Sequence, residues 1–117
     1  MTVKKIFCFD LDNVICFTKK NFYHLAKPNY KTIHIINKLY TKGFYIKIFT
    51  ARFMGRFNNN KRLALKKGYK FTKNQLLKWK VSYHELIFGK PSYDLFIDDK
   101  SFLFKKNWHI DFKKKYL

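Results

Sequence analysis

The sequence predicts an α/β fold in which at least four parallel strands form an open sheet with helices on both faces. Two observations predict it. Apolar runs rich in β-branched and aromatic residues recur along the chain, and segments with helical spacing of apolar residues separate them. Strands that alternate with helices are typical of a parallel sheet with right-handed crossovers. The 117 residues suit one domain, which we assign to residues 1–117.

Four apolar runs are the predicted strands, and each is followed by polar residues. The first starts near Val3 and leads into a pair of carboxylates. In open parallel sheets, ligands bind at the carboxyl ends of the strands, so we expect the four polar ends to lie together. The runs are residues 3–9, 44–49, 86–88 and 93–97, and the polar residues that follow them are Asp10, Thr50, Lys90 and Asp98.

Helical patterns fill the gaps between these runs. Apolar residues at spacings of three and four, capping residues and glycine stops mark their bounds. The predicted helices are residues 33–40, with Gly43 as the stop; about 60–67, closed by Gly68; a third that starts with a capping box of Thr72 and Gln75; and a last one through Phe102 and Leu103.

The charge balance excludes some functions and leaves others open. Charged residues interrupt every apolar run before the ~20 residues that a spanning helix needs, so we expect no membrane span. Asp10 and Asp12 break the N-terminal apolar run too early for a signal peptide, which predicts a cytoplasmic protein with reduced cysteines. The net charge of +19 attracts anions, including nucleic acid. However, 23 lysines against three arginines also fit the residue usage of an AT-rich genome.

Four of the seven acidic residues fall in two tight pairs, Asp10 with Asp12 and Asp98 with Asp99. Carboxylates gathered at one edge of a sheet require a cation to offset their charge. Oxygen ligands without His or Cys nearby favour Mg²⁺. The threonine and lysine that follow the neighbouring strands are donors for a dianion. The sequence therefore predicts a site for phosphoryl transfer, in which a carboxylate attacks phosphorus.

The order of these groups along the chain separates two families. Receiver domains of two-component signalling use similar groups, but their acidic pair comes first and the phosphorylated Asp lies on a later strand. Here the order Asp-x-Asp, Thr, Lys, Asp-Asp resembles the haloacid dehalogenase-like (HAD) superfamily of aspartate-nucleophile phosphatases, which implies a three-layer Rossmann-like core. The matching motifs are Phe9-Asp10-Leu11-Asp12-Asn13-Val14, Phe49-Thr50-Ala51-Arg52, Gly89-Lys90-Pro91 and Ile97-Asp98-Asp99. Asn13-Val14 stand where the commonest form has Gly-Thr.

The resemblance implies a role for each matching residue. Asp10 would be the nucleophile that forms an aspartyl-phosphate, and Asp12 would protonate the leaving oxygen and then activate water. Thr50 would hold a phosphoryl oxygen, and Lys90 would stabilise the nucleophile and the transferred group. Mg²⁺ would be held by Asp10, the backbone carbonyl of Asp12 and the final acidic pair, with Asp99 as the direct ligand and Asp98 behind it.

Substrate contacts are predicted directly after the second motif. All three arginines of the chain lie in residues 52–62, and arginine binds phosphate in a two-pronged way that lysine does not match. The predicted substrate-binding residues are Thr50, Ala51, Arg52, Arg56 and Lys90.

The spacing between the motifs leaves no room for a cap domain, so we expect a capless enzyme. An oligomer partner, a flap such as residues 16–30, or a large substrate would then exclude water. The chain further resembles small capless phosphatases of capsule and surface-sugar biosynthesis. We therefore expect a Mg²⁺-dependent phosphatase acting on a small metabolite such as a sugar phosphate. The alternatives are a nucleotide or nucleic-acid end phosphatase, and a nonenzymatic basic nucleic-acid-binding protein.

Overall fold

A computed structural model describes residues 5–117, and Val3, at the start of the predicted first strand, lies outside this range. Within it the chain forms an α/β fold with three α-helices and two small sheets, which confirms the predicted class. None of the helices in this range combines the length and hydropathy needed to span a membrane. In chain order the elements are β1 (Ile6–Asp10), β2 (Cys16–Phe17), a 3₁₀ turn (Tyr23–Leu25), β3 (Lys27–Pro28), α1 (Tyr30–Thr41), β4 (Tyr45–Thr50), α2 (Lys61–Lys78), β5 (Glu85–Phe88) and α3 (Trp108–Tyr116).

The main sheet consists of three parallel strands in the order β1-β4-β5. Phe9 is in register with Ile48, and Thr50 with Phe88. Because the three strands run in the same direction, their carboxyl ends meet at one edge of the sheet. Asp10 and Thr50 are the last residues of β1 and β4, so two of the predicted site residues are neighbours at that edge.

One face of this sheet is buried and the other is largely open. Strand side chains alternate between faces, and the register places Phe9 and Phe88 on the same face. The Phe9 ring lies near Phe112 of α3, and the Phe88 ring lies against α2. On the opposite face Ile6 and Cys8 are exposed. Within residues 5–117, the predicted second layer of helices is not seen.

The predicted fourth strand, residues 93–97, is irregular, and Leu95 and Ile97 are 76% and 86% exposed. Only residues 89–92 separate this segment from β5, whereas a crossover between parallel strands takes roughly a dozen residues or more. The prediction of four parallel strands was therefore wrong for the described residues. The helix predicted through Phe102 and Leu103 is also not formed, and α3 forms further along, where its Trp108 is buried.

The two helices predicted on either side of Gly68 are one continuous helix, α2. Its N-cap is Asn60, whose side-chain oxygen accepts a hydrogen bond from the Leu63 N–H at 3.1 Å. The buried residues of α2 recur every fourth position, at Ala64, Gly68, Thr72 and Leu76. One interior glycine costs a helix only about 1 kcal/mol, which burial of this face offsets. Gly68 is therefore a packing residue and not a stop.

Replacement of Gly68 by alanine is expected to destabilise the protein although alanine favours helices. A Cβ at this position would overlap the Phe53 ring and come within 3.0 Å of the Phe88 ring. Overpacking of this kind costs about 1–3 kcal/mol, more than the gain in helix propensity. Urea unfolding of G68A measures this loss of stability, and N74A, on the exposed face of the same helix, is the control. A G68A protein as stable as N74A would contradict this packing.

The segment between β1 and α1 forms a small antiparallel hairpin in the region of the predicted flap. Cys16 of β2 pairs with Pro28 of β3, and the 3₁₀ turn Tyr23–Leu25 lies between them. The hairpin follows directly on the Asp-x-Asp motif, since Asp12 itself bridges to Cys16. Its side chains therefore border the edge of the sheet where the strand ends meet.

Candidate active site

Three residues that the sequence places at strand ends meet in the structure. The Lys90 N–H, two residues beyond β5, donates to the Thr50 carbonyl at 3.2 Å. The Lys90 Nζ lies 3.2 Å from Asp10 Oδ2. Thr50 is fully buried, and Lys90 is 8% exposed. A carboxylate and an ammonium thus meet at the carboxyl edge of the sheet, and the main chain of Thr50 adjoins that of Lys90.

Asp10 is held in an environment that penalises its charge. The Leu11 N–H donates to Asp10 Oδ1 at 2.7 Å. Burial raises the pKa of Asp10 above its ordinary value, although the charge of Lys90 opposes the shift. For Lys90, burial alone would lower the pKa, but a hydrogen bond with Tyr93 and the charge of Asp10 outweigh it, so its pKa is raised. The ammonium therefore stays charged beside a carboxylate whose charge it does not fully offset.

Asp12 pairs with a buried arginine, whereas Asp10 pairs with Lys90. Arg52 Nη2 lies 3.0 Å from Asp12 Oδ1, and Arg52 Nε lies 3.0 Å from Oδ2. The Thr18 hydroxyl donates to Oδ1 at 2.7 Å. Burial raises the pKa of Cys16 to about 11, and this protonated thiol lies 3.6 Å from the same oxygen. Asp12 is thus surrounded by donors from the hairpin and from the loop after β4.

Arg52 is not placed to contact a ligand, which corrects its prediction as a substrate-binding residue. It is 1% exposed and is the largest fully buried side chain in residues 5–117. Its Nη1 donates to Gln75 Oε1 at 2.6 Å and to the Thr72 hydroxyl at 3.4 Å. Its guanidinium also lies 4.9 Å from the centre of the Tyr23 ring. These partners keep the guanidinium inside the fold because a buried charge requires complete pairing.

The other two substrate contacts predicted after Thr50 differ in accessibility. Ala51 is half-buried, and its carbonyl accepts from the Met54 N–H at 3.0 Å. Arg56 is exposed, lies over the Phe53 ring at 4.8 Å, and contacts the Asn21 carbonyl at 3.5 Å. Arg56 is therefore the arginine of this loop that stays open to a ligand.

The acidic pair Asp98-Asp99 does not join the other carboxylates. Both residues are exposed, in the irregular segment after Lys90. Residues 5–117 contain no group of three His, Cys, Asp or Glu side chains that could hold a metal ion. The segment that carries the acidic pair contacts the site through two aromatic rings, because Lys90 Nζ lies 5.2 Å from the centre of the Tyr93 ring and 5.4 Å from that of Phe96. The predicted metal set is thus only partly assembled, for the same topological reason that the fourth strand is missing.

Three polar residues of the site do not follow from the sequence motifs. Thr18 binds Asp12, and Thr72 and Gln75 bind Arg52. Thr72 and Gln75 have the spacing of a capping box, but they lie inside α2 and face the loop after β4. One signal in the sequence pointed to this role, since Thr72 and Gln75 are two polar residues on the otherwise apolar side of a helix. Their spacing of three residues favoured a capping box instead.

No protein-family model matches this chain, and no curated protein is a significant match. Among solved structures, the crystal structure of a protein from Vibrio cholerae is similar to it, with a TM-score of 0.78 and 25% sequence identity. The match covers 95% of this chain and 98% of the Vibrio cholerae chain. The similarity therefore concerns the fold over nearly the whole chain.

Proposed function

We propose that this chain is a HAD-like phosphatase that hydrolyses a phosphomonoester through an aspartyl-phosphate on Asp10. The observation that carries the proposal is the meeting of Asp10, Thr50 and Lys90 at one edge of the sheet, with 3.2 Å between Asp10 Oδ2 and Lys90 Nζ. These groups supply a nucleophile, a hydrogen-bond donor and a fixed positive charge for one phosphoryl group.

The proposed reaction has two displacements at phosphorus. A carboxylate oxygen of Asp10 forms a bond to phosphorus while the bond to the ester oxygen breaks, and Asp12, which enters this step protonated, gives that oxygen its proton. Asp12 then takes a proton from water, whose oxygen bonds to phosphorus as the Asp10–phosphorus bond breaks. Inorganic phosphate leaves, and both carboxylates return to their first state.

Thr50 and Lys90 stabilise the phosphoryl group in both displacements. The hydroxyl of buried Thr50 accepts from the Arg52 N–H at 3.1 Å, so its own proton remains available to donate to a phosphoryl oxygen. The ammonium of Lys90 offsets the charge that builds up on the phosphoryl oxygens.

Asp10 and Asp12 offer the oxygen ligands that Mg²⁺ prefers. Asp10 is a partly buried carboxylate with one cationic partner, and burial raises its pKa, so a cation there would relieve an uncompensated charge. Mg²⁺ would be held by Asp10 and the backbone carbonyl of Asp12, with water as its further ligands, whereas Asp98 and Asp99 lie in the exposed segment and do not complete this set. When bound, it would offset phosphate charge during the attack by Asp10.

The substrate proposed is a small phosphorylated metabolite such as a sugar phosphate. Within residues 5–117 the site is bordered by the hairpin β2–β3, the loop before α2 and the irregular segment with Tyr93 and Phe96. None of these is a separate domain, so the enzyme is proposed to be capless. A second copy of the chain could complete the exclusion of water. We place the protein in the cytoplasm, where reduced Cys8 and Cys16 and phosphorylated metabolites are found.

A nucleotide or nucleic-acid end is the second candidate substrate. Helix α2 carries seven basic residues and no acidic one, and most of its residues are exposed. A basic helix that starts beside the site would attract a polyanion that carries a terminal phosphate.

The test is phosphate release by the wild type from sugar phosphates, nucleotides and oligonucleotides phosphorylated at the 3′ or 5′ end. We expect turnover with Mg²⁺, background rates with EDTA, and recovery when Mg²⁺ is restored. A best rate on oligonucleotides, with strong inhibition by salt, would select the second candidate. No release from any ester in the presence of Mg²⁺ would contradict the proposed function.

A further inference from the structure

Arg52 is fully paired inside the fold although it stands two residues after the proposed phosphate-binding threonine. Its Nε and Nη2 donate hydrogen bonds to the two carboxylate oxygens of Asp12. Its Nη1 donates to the side chains of Gln75 and Thr72. The side chain of Arg52 is 0% exposed, and that of Asp12 is 20% exposed. The chain places one of its three arginines here, where a planar fork fits a carboxylate and a lysine does not.

The two oxygens of Asp12 have different surroundings. Oδ1 accepts from Arg52 Nη2 at 3.0 Å, from the Thr18 hydroxyl at 2.7 Å and from the more distant Cys16 thiol. Within residues 5–117, Oδ2 accepts one hydrogen bond, from Arg52 Nε at 3.0 Å. A carboxylate oxygen has two lone pairs, so Oδ2 retains one that can hold a proton.

We propose that Arg52 is a positioning residue that directs Asp12 Oδ2 toward the reacting oxygen for proton transfer. The inference rests on the proposed function, in which Asp12 gives a proton to the leaving oxygen. Arg52 and Thr18 saturate Oδ1 and fix the plane of the carboxylate. The proton then moves between Oδ2 and the ester oxygen in the first displacement, and between water and Oδ2 in the second.

The same arginine joins this carboxylate to the hairpin. Gln75 Nε2 donates to the Tyr23 carbonyl at 2.8 Å, and the Arg52 guanidinium lies over the Tyr23 ring. The Tyr23 hydroxyl accepts from the Phe53 N–H at 3.3 Å. The orientation of Asp12 is thus supported from the hairpin, the loop after β4 and α2 together.

The test compares two leaving groups, because only a poor one needs a proton. In R52Q, kcat/KM for an alkyl phosphate such as glycerol phosphate is expected to fall about 100-fold, the lower end of general acid catalysis. The kcat/KM for p-nitrophenyl phosphate, whose leaving group departs without protonation, should fall far less. K42Q, which removes a cation at the exposed C-terminal end of α1, is the matched control and should change neither value. Equal losses on both esters in R52Q would overturn the inference, since a merely structural defect lowers both.

Further variants guard against a folding defect. R52K keeps the charge without the fork and should show the same unequal losses, whereas full activity on both esters would contradict the role of the fork. T18V leaves the arginine pair in place and should lower the alkyl phosphate rate selectively, by a smaller factor. When Asp12 is already replaced in D12N, adding R52Q should lower kcat/KM for the alkyl phosphate little further. A further loss as large as that of R52Q alone would also overturn the inference. A wild type without turnover would instead contradict the proposed function itself.

Discussion

Replacement of Asp10 by asparagine is expected to abolish phosphate release, with kcat lower by roughly 10³-fold or more. Asparagine keeps the size of the side chain and an oxygen that can accept from the Leu11 N–H, but it cannot form an acyl phosphate. The measurement is phosphate release from the best substrate of the wild type. The mass of acid-quenched enzyme should also gain one phosphoryl group in the wild type and none in D10N.

The matched control for D10N is D111N. Asp111 is exposed and forms a surface ion pair with Lys105 at 3.7 Å, so its loss should leave turnover unchanged. Wild-type turnover in D10N would show that another group attacks phosphorus. A different result would favour the nonenzymatic nucleic-acid-binding alternative. In that case the wild type would release no phosphate, and D10N would bind oligonucleotides as well as the wild type does.

Replacement of Lys90 by methionine is expected to lower kcat by roughly 10²- to 10³-fold, the cost of removing one group that stabilises charge in a transition state. Methionine keeps much of the apolar stem but removes the ammonium that lies 3.2 Å from Asp10 Oδ2. K47M is the control, because Lys47 pairs with Glu85 at 3.8 Å on the same sheet but away from its carboxyl edge. A kcat in K90M equal to that in K47M would contradict the role of Lys90.

The same variant should shift the pH profile in a defined direction. Asp10 attacks in its ionised form, so the acidic limb of kcat/KM reports its pKa in the free enzyme. Burial raises this pKa and the charge of Lys90 lowers it. Without Lys90, the hydrogen bond from the Leu11 N–H still lowers this pKa but the charge of Lys90 no longer does, so the acidic limb of K90M should lie at higher pH than that of the wild type. A limb that moves to lower pH would contradict this electrostatic coupling.

The strand ends of the site were predictable because they depend on local patterns. Apolar runs that end at Asp10 and Thr50 became β1 and β4, and Gly43, at φ 91°, follows α1 as predicted. Lys90 follows β5 by two residues. Chain order and the parallel direction of the strands were then enough to bring these groups to one edge.

The contacts of Arg52 were not predictable in this way. Its partners Thr72 and Gln75 lie 20 and 23 residues further along the chain, and Asp12 lies 40 residues before it. In the sequence, an arginine beside a phosphate-binding motif is equally consistent with binding a ligand and with pairing to residues inside the fold. Only the packing of α2 against the loop after β4 distinguishes the two.

The sequence by itself determined the α/β class, three of the strands, and the meeting of Asp10, Thr50 and Lys90 at one edge of the sheet. These follow from hydrophobic periodicity and strand direction, which act over a few residues. Only the tertiary structure decided that Arg52 is buried against Asp12, that α2 continues through Gly68, and that residues 93–97 stay outside the sheet. Those outcomes depend on nonlocal packing and on the length of a connection, which no single segment of sequence encodes.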